Sequence, residues 1–171
     1  YARRTGRLIA MSAAALVASA RATHDRLGGP GTWLLPLPAH HIAGLQILIR
    51  SLIAGTTPVV VDTSRGFSPT TLADALRSVR VPAGTAAGTA AGTAVSPAAC
   101  SATGSTGPRL YVSLVPTQLV RVLRDPAASR ALSTADAVLL GGAAADPALL
   151  ARARDSGITV VTTYGMSETG G

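Results

Sequence analysis

The sequence predicts an α/β fold in which a mostly parallel sheet is covered by helices on both faces. Short apolar runs typical of buried strands alternate along the chain with longer segments that have helical periodicity. Serine, aspartate, proline and glycine stand at the junctions where helices are expected to begin and end. The chain of 171 residues is long enough for one domain with its own hydrophobic core.

The N-terminal half is predicted to form helices and strands in alternation. Ser12 is expected to cap a helix that runs to about Leu27, and a glycine-rich turn follows it. We expect Trp33 to be packed in the core and His24 to lie on a helix surface. The next predicted elements are a strand over 32–37, a helix over 40–54, a strand over 59–61 and a helix that begins after Ser68.

The predicted helix over 40–54 is strongly apolar. Gln46, Arg50 and a Gly-Thr-Thr-Pro break argue against a membrane span, and the continuous helical part is too short to cross a bilayer. A buried helix followed by a buried parallel strand accounts for the segment better. The predicted apolar face of this helix consists of Ile42, Leu45, Ile49, Leu52 and Ile53.

The C-terminal half begins with a predicted low-complexity insertion over 82–107, in which three Gly-Thr-Ala units repeat. The stretch Thr103–Arg109 imitates a phosphate loop, but it leads into a strand, whereas anion sites lie at helix N-termini. The remaining predicted elements are a strand over 110–115, a helix from Pro116 to the Asp125-Pro126 pair, a short helix over 127–132, a strand over 137–140, a helix from Asp146-Pro147 to Asp155 and a strand over 158–163.

Composition excludes several classes of site. All fifteen basic residues are arginines, so no lysine is present to bind phosphate or act in catalysis. The net charge of +7 would permit polyanion binding, but the arginines are scattered and aromatic residues are few, which makes nucleic-acid binding a minor hypothesis. Cys100 is the only cysteine, so a disulfide framework and a cysteine-based metal site are excluded, and a reducing cytoplasm is compatible with the sequence.

The last apolar run, Ile158–Thr163, leads into Tyr164-Gly165-Met166-Ser167-Glu168-Thr169. An aromatic ring could stack on a base, and a hydroxyl beside a carboxylate could hold phosphate and Mg²⁺ at the carboxyl end of a strand. Glu168 is the only glutamate in the chain, so it is not part of a general charged surface. The same residues also fit a strand that ends in a glycine-rich turn, and the spacing alone leaves both interpretations open.

Three motifs in order resemble the adenylate-forming acyl-CoA synthetases. Tyr164–Thr169 resembles the family motif Y-G-x-[ST]-E, Pro36–Gly44 resembles P-x-x-H-x-x-G, and Leu140–Ala143 resembles the G-G-A loop. The sequence around the histidines is most similar to that of the o-succinylbenzoate–CoA ligases of menaquinone synthesis. The resemblance implies part of the large N-terminal domain of such an enzyme, with ATP or AMP, Mg²⁺ and a small carboxylic acid as ligands and CoA as co-substrate. It also implies a cytoplasmic protein and leaves self-association open.

The resemblance also implies a role for each motif residue. The double-glycine loop would form the wall between adenine and acyl group, with Gly142 also touching the acid. His41 would act as a catalytic and substrate-binding residue that contacts the acyl-adenylate or its phosphate, and His40 would contact the acid, although both histidines also fit residues that cap or pack at a helix start. The nucleotide would be bound by Gly141, Gly142, Ala143, Tyr164, Gly165 and Ser167, and Glu168 would help hold Mg²⁺ as a catalytic residue.

Parts of the family's apparatus are absent from the sequence. Thr5-Gly6-Arg7 stands where the family's phosphate loop ends, but the Pro-Lys ending is missing. The expected ribose-binding aspartate and the C-terminal domain with its lysine are also missing. We therefore expect residues 1–171 to be a partial AMP-binding domain, inactive alone, from an active acid–CoA ligase. The alternatives are another acyl-CoA synthetase, an amino-acid adenylation domain or a non-catalytic nucleotide-binding module.

Overall fold

The structure is a computed structural model that describes residues 10–80 and 109–165. The predicted insertion, the Thr5-Gly6-Arg7 stretch and the motif residues Ser167 and Glu168 lie outside these ranges. The elements in chain order are α1 (Ala13–Arg26), β1 (Thr32–Leu35), α2 (Ile42–Ala54), β2 (Val59–Val60), α3 (Pro69–Arg80), β3 (Leu110–Leu114), α4 (Pro116–Leu123), α5 (Pro126–Leu132), β4 (Ala137–Leu140), α6 (Pro147–Asp155) and β5 (Val160–Thr162).

The described strands form one parallel sheet in the order β2-β1-β3-β4-β5. Trp33 of β1 lies opposite Tyr111 of β3, and Leu140 of β4 lies opposite Thr162 of β5. All carboxyl ends therefore meet along one edge of the sheet, which is where open α/β sheets bind ligands. This arrangement confirms the predicted α/β class.

Helices cover both faces, because side chains alternate along each strand and both faces are apolar. One core cluster combines α2 with the first face of the sheet, and its buried members are Trp33, Leu35, Ile47, Tyr111, Ala137 and Leu139. The other face packs against α3, α4, α5 and α6 through strand residues Leu34, Val112, Leu114, Val138 and Leu140. None of the helices in the described ranges is long and apolar enough to cross a bilayer.

The helix starts follow the predicted capping chemistry. The Ser12 hydroxyl accepts from the Ala15 N–H at 3.1 Å, and the carboxylates of Asp125 and Asp146 accept from N–H groups in the first turns of α5 and α6. The predicted start of α2 at residue 40 is wrong by two positions. His41 is extended, with φ −92° and ψ 150°, and its N–H donates to Pro38 O, so a turn precedes the helix.

The predicted apolar face of α2 is also wrong. Leu45 is 38% exposed and Leu52 is 81% exposed, although both belong to that face. The helix instead turns its polar side inward, and its buried residues are Gly44, Gln46, Ile47, Arg50 and Ser51. Because apolar residues lie on every side of this helix, hydrophobicity alone does not determine which side packs against the sheet.

The predicted surface position of His24 is wrong as well. His24 is buried, and its ring centroid lies 6.4 Å from that of Trp33. The side of α1 that carries His24 packs towards α2 and the fully buried Trp33, which itself occupies the predicted core position. The helical pattern of α1 predicts a solvent position for this polar residue, whereas the neighbouring indole provides an aromatic surface for its ring.

Candidate functional site

A cavity of about 400 Å³ opens at the carboxyl ends of β3, β4 and β5. One side consists of strand ends and the loops that follow them, including Val115, Gly141 and Thr163. Helices α1 and α2 close the other side, with polar side chains that include Thr23, Gln46 and Arg50. The cavity therefore lies at the edge where the sheet is expected to bind a ligand.

A second cavity of about 350 Å³ adjoins the first one at the double-glycine bend after β4. Gly142 lines both cavities, whereas Ala143 lines the second and Gly141 the first. Gly142 has φ +81°, a backbone conformation that side chains disfavour. Thr163 fixes the bend to the next strand, because its N–H donates to Leu140 O at 2.8 Å.

Tyr164 and Gly165 also line both cavities. The Tyr164 side chain is 92% exposed at their rim, so its ring surface is open to a ligand. The structure therefore brings together the double-glycine motif and the first two residues of the tyrosine motif. These two motifs are adjacent because β4 and β5 pair in parallel and end at the same level.

The paired histidines occupy a different position. His40 and His41 are both exposed, with ring centroids 4.3 Å apart, and neither belongs to the lining of the two cavities. The next two residues, Ile42 and Ala43, do line the first cavity. The histidine motif therefore reaches this cavity through the first turn of α2 and not through its imidazoles.

Arg50 is a candidate functional residue that the sequence analysis did not assign. It is only 7% exposed, lines the first cavity and has no hydrogen-bond partner for Nε within the described ranges. Burial lowers the pKa of Arg50 to about 10, which leaves the guanidinium charged at neutral pH. The signal in the sequence is the one charged residue of a helix that is otherwise uncharged.

No carboxylate in the described part of the chain lies within ion-pair distance of Arg50. A buried charge without a counter-ion is costly in free energy and attracts an anion strongly. Gln46 and Ser113 are buried polar residues that line the same cavity. This end of the cavity is therefore suited to a polar or anionic group of a ligand.

The environment of His24 predicts that the stability of the fold depends on pH. Burial is the main cause that lowers the pKa of His24, the positive charge of Arg50 lowers this pKa further, and the negative charge of Asp25 opposes both effects. Because the unfolded chain then binds a proton more readily than the folded one, the free energy of unfolding should decrease as pH falls below about 6.5. Chemical denaturation between pH 5 and pH 8 would measure this loss on acidification, and His24→Phe should flatten it. An equally steep profile for the variant would contradict the assignment.

The predicted metal ligand cannot be placed, because Glu168 and Ser167 lie outside the described ranges. Within the ranges that the structure covers, no group of three histidine, cysteine, aspartate or glutamate side chains is close enough to hold a metal ion.

A sequence model of the AMP-binding enzyme family matches residues 7–171. The chain belongs to the AMP-binding enzyme family. Its sequence is 48% identical over 161 residues to a probable 2-succinylbenzoate–CoA ligase from Mycobacterium tuberculosis, a match that covers 94% of this chain and 35% of that protein. The chain thus spans about one third of the length of this AMP-binding relative.

Solved structures of AMP-binding enzymes show the same fold. An o-succinylbenzoate coenzyme A synthetase (MenE) from Bacillus subtilis, in complex with ATP and a magnesium ion, superposes with a TM-score of 0.67 and 27% identity over 95% of this chain and 28% of its own. A double mutant of the same enzyme with the product analogue OSB-NCoA has the same TM-score and identity, over 95% of this chain and 27% of its own.

Proposed function

We propose that the protein carrying this chain is an AMP-forming acid–CoA ligase and that its acid is 2-succinylbenzoate. The observation that carries the proposal is the position of Gly142, which lines two adjoining cavities at the carboxyl edge of the sheet. A reaction that joins an acid to a nucleotide needs two binding spaces that meet at one point. The similarity to a probable 2-succinylbenzoate–CoA ligase supports the choice of acid.

The proposed reaction has two steps. The acid's carboxylate oxygen attacks the α-phosphorus of ATP, and pyrophosphate leaves with the electrons of the broken P–O bond. The thiol sulfur of CoA then attacks the acyl carbon of this acyl-AMP and loses its proton. A thioester forms, and AMP leaves with the electrons of the broken C–O bond. Both steps bring anions together, so the protein contributes mainly by orienting them and by stabilising charge.

The two cavities suggest how the ligands are divided between them. We assign the nucleotide to the second cavity, beside Ala143, Gly165 and the exposed Tyr164 ring, which would stack on adenine. The acid is assigned to the first cavity, between the strand ends and helices α1 and α2. Gly142 lies between them because a residue without a side chain lets both ligands approach the backbone closely.

Four further residues keep their proposed roles. Ser167 is proposed to bind the α-phosphate, and Glu168 to hold the magnesium ion that enters with ATP as substrate. His41 is proposed to contact the acyl-adenylate or its phosphate, and His40 the acid. Since both imidazoles are exposed outside the first cavity, contact with a ligand there would require them to turn towards it.

Arg50 supports an acid with two carboxylates. The name 2-succinylbenzoate describes one carboxylate on a benzene ring and a second on the succinyl chain, and both are ionised at neutral pH. One of them has to react with ATP, which leaves the other as an anion inside the cavity. The buried guanidinium of Arg50 lines that cavity and provides the opposite charge.

The same residue argues against the alternative of an amino-acid adenylation domain. An amino-acid substrate brings an ammonium group, and a buried arginine in the acid cavity would repel it. Another acyl-CoA synthetase is the second candidate, because an apolar acid would fit the cavity's aliphatic lining.

By similarity to the o-succinylbenzoate–CoA ligases, we propose that the reaction belongs to menaquinone synthesis and takes place in the cytoplasm.

The proposed function predicts acid-dependent exchange of pyrophosphate into ATP. The full-length protein should catalyse exchange with 2-succinylbenzoate, and a matched assay without acid should show background only. The purified 171-residue chain should show no exchange, because its sequence contains no lysine to bind phosphate or act in catalysis. Exchange by the full-length protein with an amino acid but not with 2-succinylbenzoate would overturn the proposal.

A further inference from the structure

We infer that Trp33 is a positioning residue, whose indole holds the Arg50 guanidinium at the cavity and so sets selectivity for acids with a second carboxylate. The inference rests on the proposed function, because it needs Arg50 to meet an acid in the first cavity. It adds a residue that itself lies outside the cavity lining. Trp33 therefore acts through Arg50.

The contact between the two side chains has the geometry of a cation–π interaction. Arg50 Cζ lies over the indole, 5.1 Å from its centroid. Trp33 is completely buried and Arg50 nearly so, which makes the attraction stronger than at a solvent-exposed site. Since no carboxylate of the described ranges pairs with Arg50, the indole face supplies the electrostatic attraction that a counter-ion would otherwise give.

The indole is itself held in place from two sides. Tyr111, its neighbour across β1 and β3, lies 5.0 Å away between ring centroids, and His24 lies 6.4 Å away on the α1 side. The Tyr111 hydroxyl donates to Gly29 O at 2.9 Å, which ties that ring to the turn after α1. The sheet thus fixes the indole, and the indole fixes the guanidinium.

A purely structural role for Trp33 leads to a different expectation. If Trp33 served only to fill the core, shortening it would weaken catalysis with every acid to the same extent. If it positions Arg50, the loss falls on acids that carry a second carboxylate, because only these depend on the guanidinium. The ratio of kcat/KM for the two kinds of acid separates the two roles.

The experiment measures that ratio with the full-length protein. The acids are 2-succinylbenzoate and 4-oxo-4-phenylbutanoate, which has the same skeleton without the ring carboxylate. Trp33→Leu should lower the selectivity ratio by about tenfold, mainly through a higher KM for the diacid, and Trp33→Phe should retain part of it. In an Arg50→Met background, neither substitution at Trp33 should change the ratio further.

Each outcome has a distinct meaning. No exchange by the wild-type protein with either acid would remove the proposed function and this inference with it. If Arg50→Met lowers the ratio but Trp33→Leu weakens both acids equally, the proposed function stands and the positioning role of Trp33 is overturned. If Trp33→Leu does not fold, the same comparison is made with Trp33→Phe, for which an unchanged ratio would overturn the inference.

Discussion

Replacement of Gly44 by alanine is expected to destabilise the protein by roughly 2–3 kcal/mol, as overpacking of a well-packed contact does. A Cβ atom at this position would lie 2.7 Å from Pro38 C and 2.9 Å from Ala39 Cα, well inside contact distance. Both atoms belong to the backbone of the turn before α2, so neither can move aside as a flexible side chain would. The first turn of α2, whose residues Ile42 and Ala43 line the first cavity, would have to shift relative to the turn that precedes it.

Gly55→Ala provides the matched control. Gly55 ends α2 with φ +66°, but nothing lies within 4 Å of the added methyl group. The free energy of unfolding of Gly55→Ala should fall by roughly 1 kcal/mol, because only the backbone conformation becomes unfavourable. Urea denaturation of the two purified variants would measure the difference from the midpoints, provided the slopes agree. An equal loss for both variants would mean that the contact with the turn does not restrict residue 44.

Replacement of Arg50 by methionine should separate activity from stability. In the full-length protein, we expect kcat/KM for 2-succinylbenzoate to fall by about 100-fold, since truncating one partner of a buried charge pair is costly. The folded state should lose little stability or gain some, because the substitution removes a buried charge that has no carboxylate partner among the described residues. Methionine keeps most of the apolar stem volume, which limits the cavity that it leaves.

Arg21→Met is the control for this variant. It removes the same charge from the exposed surface of α1, outside both cavities, and should leave kcat/KM and the melting temperature almost unchanged. Thermal denaturation and steady-state kinetics on the same preparations would show both effects. A large loss of stability in Arg50→Met, with equal losses for diacid and monoacid, would assign Arg50 to the core and not to the substrate.

The elements of this fold could be predicted because their signals are local. A capping side chain such as Ser12 or Asp146 bonds to N–H groups within three residues, so the sequence alone specifies where the helix begins. The family resemblance implies that the glycine bend and Tyr164 bind the same nucleotide, and both motifs directly follow strands. Parallel strands end at one edge, so residues directly after neighbouring strands are expected to lie together.

The acid end of the site could not be predicted in the same way. The orientation of α2 depends on contacts with β1 and α1, which are distant in sequence from its centre. Within its own helix, Arg50 argues only against a membrane span, and His24 fits a position on the helix surface. In the folded chain both side chains lie beside the buried Trp33, a contact that neither helix shows when it is considered alone.

The order of the strands has a consequence for how the two ends of the cavity are assembled during folding. Strands β3, β4 and β5 are consecutive in both sequence and sheet, so the bend at Gly142 and the Tyr164 rim come together through short crossovers. Strand β1 instead pairs with β3 although the two are far apart in the sequence, since Thr32 lies opposite Leu110. Loop-closure entropy rises only with the logarithm of loop length, at about 0.6 kcal/mol per doubling. Joining residues so far apart in sequence therefore costs little more free energy than joining nearer ones, although contacts between such distant residues slow the search for the folded state.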